Sequence, residues 1–265
     1  MKIYNKEIDI KTIENIISEV RKNKKYSKLD DELILKAVKK YLMQNFSDIE
    51  KVSNKKSSAF EKLVKFVRKE YYDVYGLFQK GKLSGNLLER HVSTKERIAI
   101  YGELYEKIFA IIGKPKTILD LGCGRNPFSF EQMNLGKIKY VASDLSSGDL
   151  KEIQKYFDDF GINGETIKLD LSDEEDVDKL KKIKADVCFL FKVLDVVETK
   201  NKNITYKILS SINSPWIVVS FPRKNVKGEL LRTPNRPWFE RFCRNLKYEF
   251  TIIAFDNELF YLVKK

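Results

Sequence analysis

The sequence predicts an α/β fold: a mostly parallel seven-stranded sheet with a terminal antiparallel hairpin over residues 86–265, preceded by a helical domain over residues 1–85. Three observations lead there. From residue 117 onward, short apolar runs alternate with helical stretches, the pattern of parallel strands buried on both faces. The first run, TILDL (117–121), breaks into GCGRNP, a turn bare enough for backbone to approach a ligand. Before residue 79, apolar residues recur at helical spacing.

Each element has its own reason. DDELILKAVKKYLMQNF (30–46) opens with acids suited to a helix N-terminus and lines one face with Leu33, Ala37, Val38, Tyr41 and Leu42. SSAFEKLVKFVRKEYYDVYGLF (57–78) has a serine cap and an apolar stripe from Phe60 to Phe78. After the glycine-punctuated link QKGKLSGN (79–86), residues 91–113 predict one helix, with Ser93 and Glu96 at capping-box spacing and Gly113 as its C-terminal cap. The strands follow at 117–121, 140–144, 166–170, 186–191, 216–221, 250–255 and 259–263. The first five alternate with helices, and DNE (256–258) joins the last two as a tight hairpin.

Composition narrows the function. Three widely spaced cysteines, Cys123, Cys188 and Cys243, support neither a disulfide framework nor a zinc site, and the single histidine, His91, leaves little room for metal-hydrolase or Ser/His/Asp chemistry. No metal is expected. No run of 18 apolar residues and no signal-like block occurs, so the expected location is cytoplasmic, without a membrane. Of the net charge of +12, residues 1–90 carry +8 (21 Lys+Arg against 13 Asp+Glu) and residues 221–250 carry +5 (8 against 3), leaving the middle close to neutral. Basic flanks of this kind suit either a polyanion surface or simply solvated helix faces.

In a doubly wound sheet, ligands lie beyond the carboxyl ends of the strands at the switch point. Gly122 and Gly124 sit there, in D-x-G-x-G without the third glycine of pyrophosphate-binding turns. A nucleoside cofactor lacking a pyrophosphate fits, and S-adenosylmethionine (SAM) is the expected one. Asp144, 20 residues after Gly124, is placed to accept from a ribose diol, and Asp170 with Leu171 offers a carboxylate and an apolar wall to an adenine. These ends in register make the fold a Rossmann-like, class I SAM-dependent methyltransferase.

HVSTKER (91–97), LDLGCGRNP (119–127), FKVLDVVE (191–198), SFPRKNVKG (220–228), FER (239–241) and NELFYLV (257–263) together resemble the 16S rRNA methyltransferases of the aminoglycoside-resistance (Arm/Rmt) type. The resemblance covers about residues 85–265 and departs at Arg125, where an aliphatic residue is expected, and at ELLRTPNRPW (229–238). It implies transfer of a methyl group to guanine N7 in the decoding region of small-subunit rRNA. It also implies that His91, Arg97 and Lys192 close over the methionine end of SAM. Guanine N7 carries a lone pair and no proton, so the reaction needs alignment more than a base. Asn126 and Pro127 are expected at the rim beside the methyl group, with Phe128 or Phe130 available to stack on a base; Pro127 also suits a helix's first turn.

On that reading the basic residues acquire a partner. Lys24, Lys25, Lys55, Lys56 and Arg68 in the first domain, with Arg223, Lys224, Lys227, Arg232 and Arg236 after the fifth strand, are expected to follow the phosphates of the small ribosomal subunit's rRNA, the protein acting as a monomer. Competing readings are a SAM-dependent enzyme acting on adenine N1 or on tRNA, a non-catalytic ribosome-binding module, and a small-molecule methyltransferase disfavoured by the basic flanks.

Overall fold

The computed structural model describes residues 1–3, 6–72, 96–224, 229–233 and 235–265, and the chain divides into two units, Met1–Gly81 and Lys82–Lys265. The expected boundary at 85/86, with the 79–86 link, lies outside the described residues.

In the first unit a short hairpin, β1 (Lys2–Ile3) and β2 (Lys6–Glu7), precedes α1 (Ile10–Arg21). Asp9 caps this helix by accepting the Thr12 N–H at 2.8 Å, and its stripe Thr12, Ile16 and Val20 is buried. Sequence patterning gave no helix here. α2 (Asp31–Gln44) buries Leu33, Ile34, Ala37, Val38, Tyr41 and Leu42 behind the acidic first turn that its sequence predicts. α3 (Ser58–Glu70) is capped by Ser57 and buries Phe60, Leu63, Val64 and Val67. Tyr71 donates to the Leu33 carbonyl at 2.8 Å, tying the end of α3 to the first turn of α2.

The second unit begins its described part with a turn of helix at Glu96–Arg97. The single helix expected over 91–113 is interrupted there: residues 98–100 form a turn and α4 starts at Tyr101 (Tyr101–Ile112). With the interruption, Arg97 is buried while Ile98, expected on the apolar face, is exposed. Leu104, Tyr105 and Ile108 do face the core.

The sheet comprises β3 (Thr117–Leu121), β4 (Lys139–Asp144), β5 (Gly164–Lys168), β6 (Val187–Phe191), β7 (Trp216–Pro222), β8 (Glu249–Ala254) and β9 (Glu258–Lys264). Their order is β5-β4-β3-β6-β7-β9-β8, with β9 antiparallel to both of its neighbours and the remaining described pairings parallel. The chain runs one way from β3 through β4 to β5 and the other way through β6 and β7, which puts the switch point beside the carboxyl end of β3. α5 (Ser147–Asp159) packs with α4 on one face, over Ile118, Tyr140, Ala142, Phe189, Val218 and Phe260. α6 (Glu174–Lys179), α7 (Leu194–Lys200), α8 (Ile204–Ser211) and α9 (Pro237–Asn245) surround the opposite face, over Leu119, Leu121, Cys188, Leu190, Val219 and Tyr261. β6 is buried at all five positions, as a central strand covered on both sides must be.

One strand is displaced. β5 spans 164–168 and not 166–170, so Asp170 lies two residues beyond its end. Its first residue, Gly164, lies against the Phe157 ring of α5, where a Cβ would sit 2.2 Å from that ring.

Candidate functional site

β3 delivers its chain into the switch point, and Gly122 (φ +60°) and Gly124 (φ +51°) turn it in the left-handed region that favours glycine. Gly122 is constrained from below as well: a Cβ would lie 2.7 Å from Val193, just before α7. Asp144, the last residue of β4, accepts the Gly124 N–H at 2.9 Å and the Ser146 N–H at 3.1 Å. Burial first, then the nearby Asp149 carboxylate, raises its pKa, against the backbone donors that lower it. With the Leu145 N–H as a third donor, the carboxylate's lone pairs are not all taken, and a ligand hydroxyl can still donate to it.

Behind the turn lies a buried polar network. Asp120, fully enclosed, accepts Tyr140 Oη–H at 2.6 Å and Asn126 Nδ2–H at 2.9 Å through its Oδ2, while its Oδ1 has no hydrogen-bond partner among the described residues. Burial pushes its pKa up to about 6 despite those donors. Asn126 Oδ1 accepts from Tyr101 at 3.0 Å and Tyr105 at 3.3 Å. This corrects the expected rim position of Asn126: at 1% exposure its carboxamide is spent joining Asp120 to two tyrosines. Pro127 is buried too, in the first turn of the 3-10 helix 126–133, and Phe128 packs edge-on against Tyr156 at 4.9 Å. Phe130 meets Tyr140 edge-on at 6.1 Å. These contacts place both rings in the packing.

A second cluster forms where β7 and β9 meet. Arg97, 2% exposed, sends its Nε to both oxygens of Glu258 at 3.0 Å and stacks over Phe191 at 5.0 Å. Its Nη2 is an ion-pair neighbour of Glu258 Oε1 at 3.0 Å without a well-aligned hydrogen bond to any acceptor among the described residues. Burial works against the charge on Arg97, but Glu258 more than offsets this and raises its pKa. Lys192, in the left-handed region (φ +58°), reaches Glu258 at 3.2 Å and Glu96 at 2.5 Å. The Ser220 hydroxyl donates to Glu258 as well. Glu258 carries no expected role from sequence; the signal available is a lone acid opening the apolar run LFYLV, which obliges buried cations to meet it.

The other expected ligand residues are distributed differently. Asp170 Oδ1 accepts the Ser172 N–H at 3.0 Å and the Ser172 hydroxyl at 2.5 Å, closing its own turn, and Leu171 is buried in the core. His91 and Lys227 lie outside the described residues.

Two expected phosphate contacts are corrected. Arg68 donates to the Glu19 and Val20 carbonyls at the C-terminal turn of α1. Arg236, 8% exposed, donates to Asp195 at 3.1 and 3.2 Å and to the Pro222 carbonyl at 3.0 Å, over the Phe221 ring. Planar guanidinium forks make such interior bonds readily, and reading all basic residues as surface charge overlooks that. Arg223 is half committed, with Nη1 on the Phe255 carbonyl at 2.8 Å. Lys24, Lys55, Lys56 and Arg232 are exposed; Lys25 and Lys224 are half-buried, Lys25 over the Tyr72 ring at 5.2 Å.

Residues 82–262 match a protein family described as ribosomal RNA methyltransferase (FmrO). A 16S rRNA (guanine(1405)-N(7))-methyltransferase of Micromonospora echinospora is 32% identical over 180 residues, 66% of this chain and 63% of the relative. One of the same description from Proteus mirabilis is 32% identical over 147 residues, 54% of this chain and 50% of that one. The chain therefore spans less than two-thirds of the length of these two relatives. Among solved structures, the 16S rRNA methylase ArmA is 29% identical with a TM-score of 0.56, covering 67% of this chain and 88% of its own. RmtF in complex with S-adenosyl-L-homocysteine has a TM-score of 0.71 at 18% identity over 98% of this chain and 100% of its own, a likeness of fold. With more than half its length matched, the chain belongs to the FmrO family of ribosomal RNA methyltransferases.

Proposed function

We propose that this chain is a SAM-dependent rRNA methyltransferase that transfers a methyl group to guanine N7 in the decoding region of small-subunit (16S) rRNA. The observation that carries the reading is the pairing of the Gly122–Gly124 turn with Asp144 on one side and the Arg97–Glu258–Lys192 cluster on the other, within a family of rRNA methyltransferases. Its relatives' described activity on 16S rRNA supports the substrate.

The residues present fit the cofactor. The glycine turn leaves backbone bare of side chains, and beside it Asp144 keeps acceptor capacity beyond its backbone donors, which is what a ribose diol calls for. Asp144 would accept the ribose diol, Gly122 and Gly124 would let backbone approach, and Arg97 with Lys192 would hold the cofactor's carboxylate. The bound cofactor supplies an electrophilic methyl group on a sulfonium.

The protein's task is then alignment and exclusion of water rather than proton abstraction, because N7 presents an unprotonated lone pair. N7 faces the deep, narrow major groove of A-form RNA, so the base must leave its helix to be reached. Asn126 does not touch the reacting atoms in this reading. It is a positioning residue, fixing the 3-10 helix that carries Pro127 through Asp120 and the tyrosines. The exposed lysines supply sequence-independent attraction to phosphate, with the protein acting as a monomer on the subunit.

The test is tritium transfer from labelled SAM to isolated small subunits, naked small-subunit rRNA and bulk tRNA, with cleavage mapping at 7-methylguanine. Label on the subunit and cleavage in the decoding helix is the expected result. Label on tRNA alone, or none despite cofactor binding, overturns the substrate.

A further inference from the structure

Arg125 departs from the aliphatic residue expected at its position, and none of the roles above uses it. The residue is 4% exposed, an expensive place for a charge that does no more than follow a turn. It is answered by two acids of α5: Nη2 donates to Asp149 at 2.8 Å and Nη1 to Glu152 at 2.6 Å, while the plane lies 5.4 Å over Phe128. Asp149 is itself buried, its N–H held by the capping Ser146 hydroxyl. Arg125 follows Gly124, whose N–H is the donor to Asp144, and Ser146, whose N–H is the other, caps the helix that carries Asp149.

We propose that Arg125 is a positioning residue for the cofactor's ribose: its forked pairing with Asp149 and Glu152 fastens the first turn of α5 to the glycine turn, holding both Asp144 donors in place and shielding Asp144 from the charge of Asp149. The inference rests on the SAM reading and goes beyond it by giving the site's electrostatic tuning to a specific residue.

Several groups act on Asp144. Asp149 on α5, Asp120 on β3 and Cys123 in the glycine turn are its titratable neighbours. Lys168 is its register partner on β5, and the N–H groups of Gly124, Leu145 and Ser146 point to it. Burial and Asp149 raise its pKa, so the ionised form that accepts a diol is lost as pH falls through that raised value. Cancelling Asp149 moves the loss to lower pH; removing Arg125 moves it to higher pH.

The experiment is calorimetric titration of S-adenosylhomocysteine into the full chain between pH 4 and 8, for the unsubstituted protein, D149N, R125L and the double substitution. D149N keeps an amide oxygen as acceptor for Arg125 and the shape of the side chain. The pH at which affinity is lost should fall in D149N and rise in R125L, so that the two variants' affinities part inside the window between their edges. The double substitution should return the R125L edge toward the unsubstituted one. Edges that coincide in D149N and the unsubstituted protein overturn the inference and leave the cofactor reading standing, as does a uniform loss in R125L that D149N does not reverse. Absence of binding by the unsubstituted protein at every pH overturns both.

Discussion

Around the glycine turn, Asp120 and Asp144 are held by neutral donors: Tyr140, Asn126 and backbone N–H groups. Where β7 meets β9, Glu258 is held by the cations Arg97 and Lys192, with Glu96 completing the set. Both clusters are desolvated, but the consequences are opposite. Neutral donors leave a carboxylate's charge uncancelled, and Asp120 rises to about 6, into a range where it titrates. Ion pairing keeps Arg97 charged, its pKa raised by Glu258. One end of the site is therefore sensitive to pH and the other is locked, and a zwitterionic cofactor with a diol at one end and a carboxylate at the other matches that division.

The largest expected effect comes from breaking the locked end. Glu258→Gln leaves Arg97 and Lys192 without their shared counter-charge while keeping the shape of the side chain. Removing one partner of a buried pair costs about 3–5 kcal/mol, so denaturant unfolding should lose that much stability. A loss below 1 kcal/mol would mean that water or local relaxation solvates the cluster.

The sensitive end should respond through pH. Asp120 moves from 3.8 to about 6 on folding, so its contribution is fully present below 3.8 and is lost as pH rises through 6. That amounts to about 3 kcal/mol at 1.4 per unit. Asp120→Asn should therefore gain about 3 kcal/mol relative to the unsubstituted protein between pH 4 and pH 7. Parallel stability profiles for the two proteins would show that Asp120 ionises freely.

Gly122→Ala probes what lies between the ends. A left-handed φ and a contact with Val193 both oppose a methyl group, for a loss on the order of 2 kcal/mol. Adding Val193→Ala should recover the collision part and leave the backbone part. Full recovery would locate the whole constraint in packing.

How far sequence reached this arrangement depended on what each signal encodes. Apolar runs and the D-x-G-x-G turn encode local geometry, and β3, β4, β6 and β7 lie where those runs predict, with Asp144 at the end of its strand. Direction into or out of the core is not local. Asn126 and Pro127 turned inward because Asp120 needed a donor and two tyrosines needed an acceptor, partners separated by up to 25 positions. The sequence singles out Arg97, but Glu258, 161 positions away, is not legible there as its partner. α1 is hidden for a different reason: the alternation of charged and apolar residues at the start of the chain masks the helical spacing of Thr12, Ile16 and Val20.

The smallest effect on stability should come from the residues with the largest expected effect on RNA. Lys55 and Lys56 are exposed, whereas Arg68, in the same unit, is bonded to carbonyls of α1. Net positive charge alone does not separate these cases; the hydrogen bonds do. Lys55→Glu with Lys56→Glu should leave unfolding within about 0.5 kcal/mol and S-adenosylhomocysteine affinity unchanged. It should also lower the slope of log affinity for small-subunit rRNA against log salt by about one for each phosphate no longer neutralised. Arg68→Ala should do the reverse, costing about 1–3 kcal/mol of stability through the orphaned carbonyls, with an unchanged salt slope. Filter binding between 50 and 200 mM salt separates them, and a salt slope unmoved by the double lysine substitution would remove these lysines from the RNA surface.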